Sequence, residues 1–427
     1  MGSRRYFYDL IAKNLRLYVR PGDTMALVCS SSDLLPTMFP ESSIWDSGVP
    51  DTDNTVDYVV VSSCIHYERD IQSFLHRLRN HCTSSTRVII TYYSSLWRPL
   101  LNLATRLDLR IKTPEQNWLA PEDIENLMRL SGYEPVRTDN RILCPVYIPL
   151  VSAVLNRFVA PLPLFRSLTM LNILTVRPLA VSGTLPAQPS VSVIVPARNE
   201  AGNIENAVQR LPAMGPDDEL IFVEGNSTDN TWQMIQEIKE RYGSTRNIVI
   251  AQQSGKGKGD AVRKGFSLAT RDVLMILDAD LTVPPEDLPK FYEAIVGGYG
   301  EFINGSRLVY PMEGRAMRFL NMIGNKFFAM AFSFVLGQRF RDTLCGTKVL
   351  SRSHYEKLAR HRKYFGEFDP FGDFDLLFGA ARLGLKIVEV PVAYRDRVYG
   401  TTNISRWRHG LILLKMLLFA ALRMRFI

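Results

Sequence analysis

Two carboxylates stand at positions i and i+2 in Asp278-Ala279-Asp280, directly after the apolar run VLMIL at 273–277. Such a run reads as a buried parallel strand, and where the chain leaves the sheet both side chains reach into the same crevice. Carboxylate oxygens are hard ligands that suit Mg²⁺ or Mn²⁺. A cation held there would bridge a diphosphate and neutralise it as it leaves, a Lewis-acid role. Turns and helix caps also use Asp-x-Asp, so the pair takes its meaning from what surrounds it.

The surroundings alternate between strand and helix. VSVIV at 191–195 is a compact β-branched strand ended by Pro196. A helix-like stretch at 203–211, a strand at 219–223 and a helix at 231–241 follow, the last opening after the polar run 226–230. A third strand at 248–251, a helix at 259–269 and the strand 273–277 complete the series. The alternation predicts a doubly wound α/β sheet, with ligands at the carboxyl ends of the strands where the polar motifs fall. Upstream, LAVSGTLPAQP at 179–189 has the Pro/Gly/Ser content and the lack of period of a linker. The first half repeats the rhythm more weakly, with strands at 24–29, 57–61, 87–92 and within 133–148, and helices at 67–80 and 121–131. It reads as a second α/β domain.

A chain of 427 residues exceeds one ordinary core, which agrees with two domains. Hydrophobic residues at 46% and charged residues at 22% exclude disorder for most of its length. Lys and Arg number 51 against 43 Asp and Glu, a balance of +8 that suits anionic partners or simply a basic surface. The five cysteines, Cys29, Cys64, Cys82, Cys144 and Cys345, are odd in number and form no CxxC pair. They read as reduced structural thiols of a cytosolic protein, not as a disulfide framework or zinc site. Arg4 and Arg5 have no apolar run behind them, so no secretory signal is expected. No window supplies the roughly 20 apolar residues of a spanning helix; the nearest, 317–337 and 411–422, are broken by Asn321, Asn325, Lys326 and Lys415.

Seven motifs occur in a fixed order: VSVIVPARNE at 191–200, VEGNSTDNT at 223–231, GKGKGDAVRKGF at 255–266, Asp278–Asp280, DTLCGTK at 342–348, DFDLL at 373–377 and EVPV at 389–392. Together they resemble the family 2 glycosyltransferases of GT-A fold, and within them the polyprenyl-phosphate (dolichol-phosphate) sugar transferases. The resemblance spans 190 to about 410. It implies that Pro196, Arg198 and Glu200 line a nucleotide pocket, that Glu224 is the first acid after the second strand, and that Lys256, Gly257 and Gly259 lie near the donor. Asp278 and Asp280 match the metal-binding pair, with Asp278 also facing the donor. The family's usual second acid, which reads the base, is replaced by Gly225, and Asn226 stands where glycine is usual; UDP and GDP therefore both stay open.

By the same resemblance Asp373 and Asp375 lie near the acceptor as the catalytic acids. A sugar hydroxyl would need one of them as general base; a lipid phosphate is already an anion, and the acids would then orient basic groups or the sugar. A helix N-cap ahead of Leu376 and Leu377 is a further reading. Arg395, Arg397, Gly400, Thr402 and Asn403 resemble the basic loop after EVPV, whose arginines grip a diphosphate or acceptor phosphate bidentately. The tail 407–427 is apolar, with Arg406, Arg408, Lys415, Arg423 and Arg425 around it. It suits a helix lying over acidic lipid, as does 317–337; packing against their own domain is the alternative for both.

In the first half, RPGDTMALVCSSSDLL at 20–35, DYVVV at 57–61, residues 67–81 and 117–136, and the hydrophobic tail 156–178 resemble the class I methyltransferase (Rossmann-like) fold. Its glycine loop is replaced by Cys29-Ser30-Ser31-Ser32, and between Leu35 and Asp57 no second strand ending in a ribose-binding acid is evident. A domain without S-adenosylmethionine binding is expected. The chain as a whole is thus expected to carry a methyltransferase-like α/β domain at 1–180, a linker at 181–189, a GT-A doubly wound α/β domain at 190–410 and a membrane-surface helix at 411–427. The expected activity is a metal-dependent, inverting hexosyl transfer from a GDP- or UDP-hexose to an isoprenoid phosphate. It would take place in the cytoplasm, peripherally at the inner membrane face, with no nucleic-acid partner. A glycan or small-molecule acceptor, or a bifunctional methyltransferase and glycosyltransferase, are the rivals.

Overall fold

The computed structural model describes residues 3–29, 34–46, 55–107, 117–179, 185–310, 319–362, 372, 374–400 and 406–427. Two units divide the chain: Met1–Thr184 with Ala421–Ile427, and Leu185–Ala420. Asp373, Thr402, Asn403 and the loop Ser30–Ser32 lie outside the described residues.

Strands β1 (Met25–Cys29), β2 (Ser43–Asp46), β3 (Tyr58–Ser62), β4 (Arg87–Tyr93), β5 (Tyr133–Arg141) and β6 (Leu171–Pro178) form the sheet of the first unit, in the order β2-β1-β3-β4-β6-β5. β1 to β4 run parallel, while β6 is antiparallel to both its neighbours. Side chains of the central strands alternate between two cores. Val59, Val61, Val88 and Ile90 pack with Phe74 and Leu78 of the helix Ile71–Arg79 on one face. Val60, Ile89 and Ile173 pack on the other with Ile11 and Leu15 of the helix Ser3–Leu15. Burial on both faces is why these strands read as continuous apolar runs.

Three elements here differ from the sequence reading. β2 exists, pairs in parallel with β1 and ends in Asp46; at four residues it is too short to show a period. The helix Ser3–Leu15 was not anticipated, because its apolar residues fall after Arg4 and Arg5 in a stripe and not in a run. Arg425, expected beside a lipid surface, is buried. The helix Arg406–Ala420 gives way to a π-helical turn at Ala421–Arg425, and Arg425 pairs with the fully buried carboxylate of Asp139 on β5. Tyr18 donates to the same carboxylate, Arg137 Nε lies 2.6 Å from it, and Arg141 Nη1 donates to the Arg425 carbonyl at 2.6 Å. Burial opposes the charge on Asp139, but Arg137, Arg141 and Arg425 outweigh it and hold its pKa far below the usual range. Burial likewise lowers Arg425, to about 10, against the pull of Asp139. The expected helix 411–427 therefore divides at Ala420, since an arginine that finds a buried counter-ion cannot stay at the surface.

In the second unit β7 (Val191–Ala197), β8 (Glu219–Glu224), β9 (Asn247–Gln252), β10 (Val273–Ile276), β11 (Phe302–Ser306), β12 (Lys348–Ser351) and β13 (Ile387–Pro391) form one sheet, ordered β13-β11-β12-β10-β7-β8-β9. β9, β8, β7 and β10 are parallel, as the alternation predicted. β12 is antiparallel to β10 and β11, so the sheet is mixed. β13 is parallel to β11. From β7 the chain steps outward to β8 and β9, then returns to place β10 on the other side of β7. That reversal opens a crevice at the carboxyl ends of β7 and β10, the switch point where α/β sheets bind ligands. The helix Lys258–Leu268 lies close on the sheet here: a Cβ at Gly265 would come within 2.4 Å of Ile194 Cγ2.

Candidate functional site

Because β11 runs parallel to β10 and β12 opposes both, one edge of the sheet collects the ends of β7, β8, β10, β11 and β13 and the start of β12. Asp278 and Asp280 leave β10 at this edge. Asp280 folds into a turn, accepting from Thr282 N at 3.2 Å and Thr282 Oγ1 at 2.9 Å, with Leu281 at φ +52°. Each carboxylate has a cationic partner from a different loop. Lys258 Nζ lies 2.5 Å from Asp278 Oδ1. Arg397 Nη2 lies 2.5 Å from Asp280 Oδ2, while its Nη1 donates to Glu200 Oε1 at 2.7 Å.

Burial works against ionisation of Asp278, but Lys258, with Lys348 and Arg307 behind it, keeps its pKa below the usual value. Glu200 is shifted upward, chiefly by burial, although Arg397 and Asn203 favour its charge. Gly346 sits against this cluster, where a Cβ would come within 2.0 Å of Asp278 Oδ2 and 2.4 Å of Lys258 Nζ. Any side chain there would push the pair apart.

Lys258 reaches the acid because of its place in GKGKG. Gly257 precedes the helix Lys258–Leu268 at φ +85°, a backbone open mainly to glycine. Asp260 in the first turn accepts from Gly255 N at 2.8 Å. Lys258 thus opens a helix whose first amide groups face the switch point, an arrangement suited to phosphate. Of the expected donor residues, Lys256 is exposed, and Gly259 packs by its backbone under Gly372, where a Cβ would come within 2.5 Å of its Cα.

At the end of β7, Pro196 is half-buried, Arg198 exposed and Glu200 buried. Glu224 is buried at the end of β8, accepting from Ser227 N at 2.5 Å and Gln252 Nε2 at 3.1 Å. Gly225 donates to Ala197 O at 2.8 Å, and a Cβ on it would lie 3.2 Å from Arg198 Cβ. The glycine in place of an acid therefore lets the ends of β7 and β8 approach.

Asp375, on the helix Phe374–Arg382, faces two arginines. It lies 3.8 Å from Arg263 Nη1 and 3.9 Å from Arg362 Nε. Of the two arginines expected to grip phosphate, Arg397 turns into the site. Arg395 is exposed, binds Thr282 O through its amide at 2.9 Å, and contributes, behind Arg210, to lowering the pKa of Glu286. Tyr399 presses on Gly202 and Gly400 lies over Asn199 and Glu200, so the loop after β13 folds across the end of β7.

Lys258, Arg307, Gly346 and Lys348 were not singled out from sequence. Arg307 clamps Asp342 bidentately at 2.7 and 2.9 Å and stacks on Tyr394. Burial opposes ionisation of Asp342, and Arg307 overrides it, pulling the pKa down to about 2. Lys348 is fully buried and donates to Asn304 Oδ1 at 3.2 Å and to the Cys345 carbonyl. A charged residue directly after a short strand, as in FINGSR at 302–307, was the available signal for Arg307. Cys64, Cys82, Cys144 and Cys345 form no disulfide.

Among the described residues, no group of three or more His, Cys, Asp or Glu side chains comes together as metal ligands. Asp278 and Asp280 are the fitting pair: two carboxylates suit a hard cation that completes its shell with phosphate oxygens and water.

The model of "Glycosyl transferase family 2" matches residues 192–359, which take in the β7 end, the Lys258 loop and both aspartates. Glycosyltransferase AglJ of Haloferax volcanii is 32% identical over 229 residues, 53% of this chain and 70% of that protein. The chain belongs to glycosyl transferase family 2. Two further relatives are the dolichyl-phosphate hexose transferase of H. volcanii, 32% identical over 45% of this chain and 76% of that protein, and the dolichol-phosphate mannosyltransferase of Pyrococcus furiosus, 31% identical over 50% of this chain. The chain spans 59% of the length of the Pyrococcus protein, less than two thirds. Among solved structures, glucosyl-3-phosphoglycerate synthase of Mycobacterium tuberculosis, crystallised with Mn²⁺, UDP and glucosyl-3-phosphoglycerate, matches 55% of this chain and 80% of that one at 20% identity and a TM-score of 0.40. Asp375, Arg395 and Arg397 fall beyond the stretch that the family model matches.

Proposed function

We propose that the second unit, as a GT-A domain, transfers a hexose with inversion from a GDP- or UDP-sugar to an isoprenoid phosphate at the inner face of a membrane. The observation that carries this reading is the pairing at the switch point: Asp278 with Lys258 and Asp280 with Arg397. Two acids and two cationic side chains at one crevice form a seat for a cation and a diphosphate together. Asp278 and Asp280 would hold Mg²⁺ or Mn²⁺, which when bound supplies Lewis-acid neutralisation of the leaving diphosphate. The residues of the chain do the rest. Lys258 and the first amides of its helix lie against the diphosphate, and Arg397 turns from Asp280 towards phosphate. Pro196, Arg198, Glu200 and Glu224 line the nucleoside side, with Lys256, Gly257 and Gly259 along the phosphates.

The acceptor phosphate oxygen attacks the anomeric carbon as the bond to the diphosphate breaks on the opposite face. An anionic acceptor gives up no proton, so no general base is needed. Asp375, with Asp373 beside it in sequence, holds Arg263 and Arg362 in position. Arg395, Thr402 and Asn403 remain the proposed acceptor contacts. The names of the relatives, which act on dolichol and undecaprenyl phosphates, favour this class of acceptor.

No helix among the described residues is long and apolar enough to cross a membrane. The helix Arg406–Ala420 exposes Leu411, Leu414 and Leu418 at helical spacing, and the helix Phe319–Leu336 that it touches exposes Ile323, Phe327 and Met330. Those stripes support contact with a lipid surface. The deciding assay offers GDP- and UDP-hexoses with Mn²⁺ to polyprenyl phosphate and, separately, to free sugars. Labelled lipid is expected; transfer only to sugars would overturn the acceptor.

For the first unit we propose a methyltransferase-like fold without S-adenosylmethionine binding. The reversed strand β6 between β4 and β5 supports the fold; Ser30–Ser32 in place of glycines argues against the cofactor. Calorimetric titration with S-adenosylmethionine should show no heat of binding, and a micromolar affinity would overturn the reading.

A further inference from the structure

Residues 143–168 of the first unit turn the usual polarity of a folded segment inside out. Two of its polar side chains are tied to its own backbone: Ser152 is buried and donates to Ile148 O at 2.8 Å. Asn156 accepts from Leu143 N and Cys144 N at 2.9 and 2.8 Å and donates to Cys144 O at 2.8 Å. Several of its apolar side chains face outward. Leu150 and Leu164 are each 84% exposed, and Val151, Val154, Phe158 and Leu168 are exposed beside them. Scattered exposed leucines need no explanation, but this many exposed apolar side chains between Leu150 and Leu168, over a hydrogen-bonded frame, mark a surface suited to being covered.

Charge says by what. From Asn140 to Asn199 the sequence contains no Asp or Glu, while Arg157 and Arg166 are exposed within the apolar set. Exposed Lys13 stands near enough to Arg157 for the repulsion to join burial in lowering its pKa. Tyr6, whose ring lies 5.3 Å from that of Tyr147, links the segment to the helix that carries exposed Arg4 and Arg5 and a single acid, Asp9. An apolar surface with a cationic rim complements a bilayer that carries acidic headgroups.

We infer that residues 146–168 of the first unit form a membrane-docking surface of their own, which inserts Leu150 and Leu164 into an acidic lipid interface. The inference rests on the membrane part of the proposed function but concerns a surface outside the transferase unit. Full-length protein should sediment with phosphatidylcholine vesicles containing phosphatidylglycerol, less so as salt rises, and weakly with phosphatidylcholine alone. Leu150→Asp/Leu164→Asp should bind about a hundredfold more weakly, about tenfold for each leucine. Both leucines are 84% exposed, so the variant removes no core contact and should keep the wild-type melting temperature. Arg157→Gln/Arg166→Gln leaves the apolar set untouched and should lose the preference for acidic vesicles. Transfer to polyprenyl phosphate dispersed in detergent should be unchanged in both variants, which separates this inference from the acceptor reading. Unaltered vesicle binding by both variants would overturn it. So would a wild-type dimer that the leucine variant turns into monomers, since the patch would then pair two copies.

Discussion

Asp139 in the first unit and Asp278 and Asp280 in the second all stand beside cationic side chains, but their surroundings differ. Around Asp139, Tyr18, Arg137 and Arg425 converge on one carboxylate with almost no exposure. Around Asp278 and Asp280 the ion-pair partners among the described residues, Lys258 and Arg397, come from separate segments and leave each acid partly open to water. A buried carboxylate among arginines is fixed, because no solvent can replace a lost partner. A partly exposed one, with 27% of the Asp278 side chain and 17% of that of Asp280 open to solvent, can exchange its partner at lower cost. The same residue types thus make a structural lock in one unit and an adaptable site in the other.

The comparison breaks most visibly at Asp139. Asp139→Asn would leave three arginines in the interior without their counter-charge and should destabilise the first unit by about 3–5 kcal/mol. Denaturant unfolding checks this; a loss below about 1 kcal/mol would show the cluster to be hydrated. Asp280→Ala should do the opposite. Transfer should fall about a hundredfold or more, while stability changes by about 0.5 kcal/mol or less. Turnover that survives both the mutation and excess EDTA would remove the pair from the chemistry.

Asp342 sharpens the contrast through pH. Its pKa of about 2 in the folded protein lies below the unfolded value near 4. The stability it contributes, about 2 kcal/mol, is therefore complete above about pH 4 and is lost as pH falls towards 2. Asp342→Asn should flatten the acid limb of a melting-temperature profile in that window, and an unchanged limb would contradict the buried pairing with Arg307. The smallest effect is expected at Arg397. In Arg397→Ala the cation that competes for Asp280 is gone, so Mn²⁺ measured without nucleotide should bind about fivefold more tightly, roughly 1 kcal/mol. Weaker Mn²⁺ binding would mean that Arg397 shapes the site instead of occupying it.

Much of the second unit was legible because its signals are local. A β-branched run ended by Pro196, a glycine ahead of Lys258 and an apolar run ended by Asp278 each act within a few residues, and the strands appeared where those signals placed them. β11 and β12 were not read as strands at all, since runs of five and four residues show no period, and the direction of so short a run is not written in it. β2 and the helix Ser3–Leu15 were missed for lack of length and of a continuous apolar run. Lys258 was passed over for Lys256 because spacing alone does not say which of two alternating lysines turns inward.

By itself the sequence determined where strands end in acids, in what order the motifs come, and that glycine replaces an acid at Gly225. Those properties reside in neighbouring residues and survive without a fold. Only tertiary structure decided which charges meet. Arg397 finds Asp280 from 117 positions away, and Arg425 finds Asp139 from 286. It also decided that Ser152 and Asn156 are tied to the backbone within 143–168 while Leu150 and Leu164 are left exposed. Periodicity in a chain shows that a segment has two faces, but which of them is buried depends on the hydrogen bonds and partners that the rest of the fold supplies.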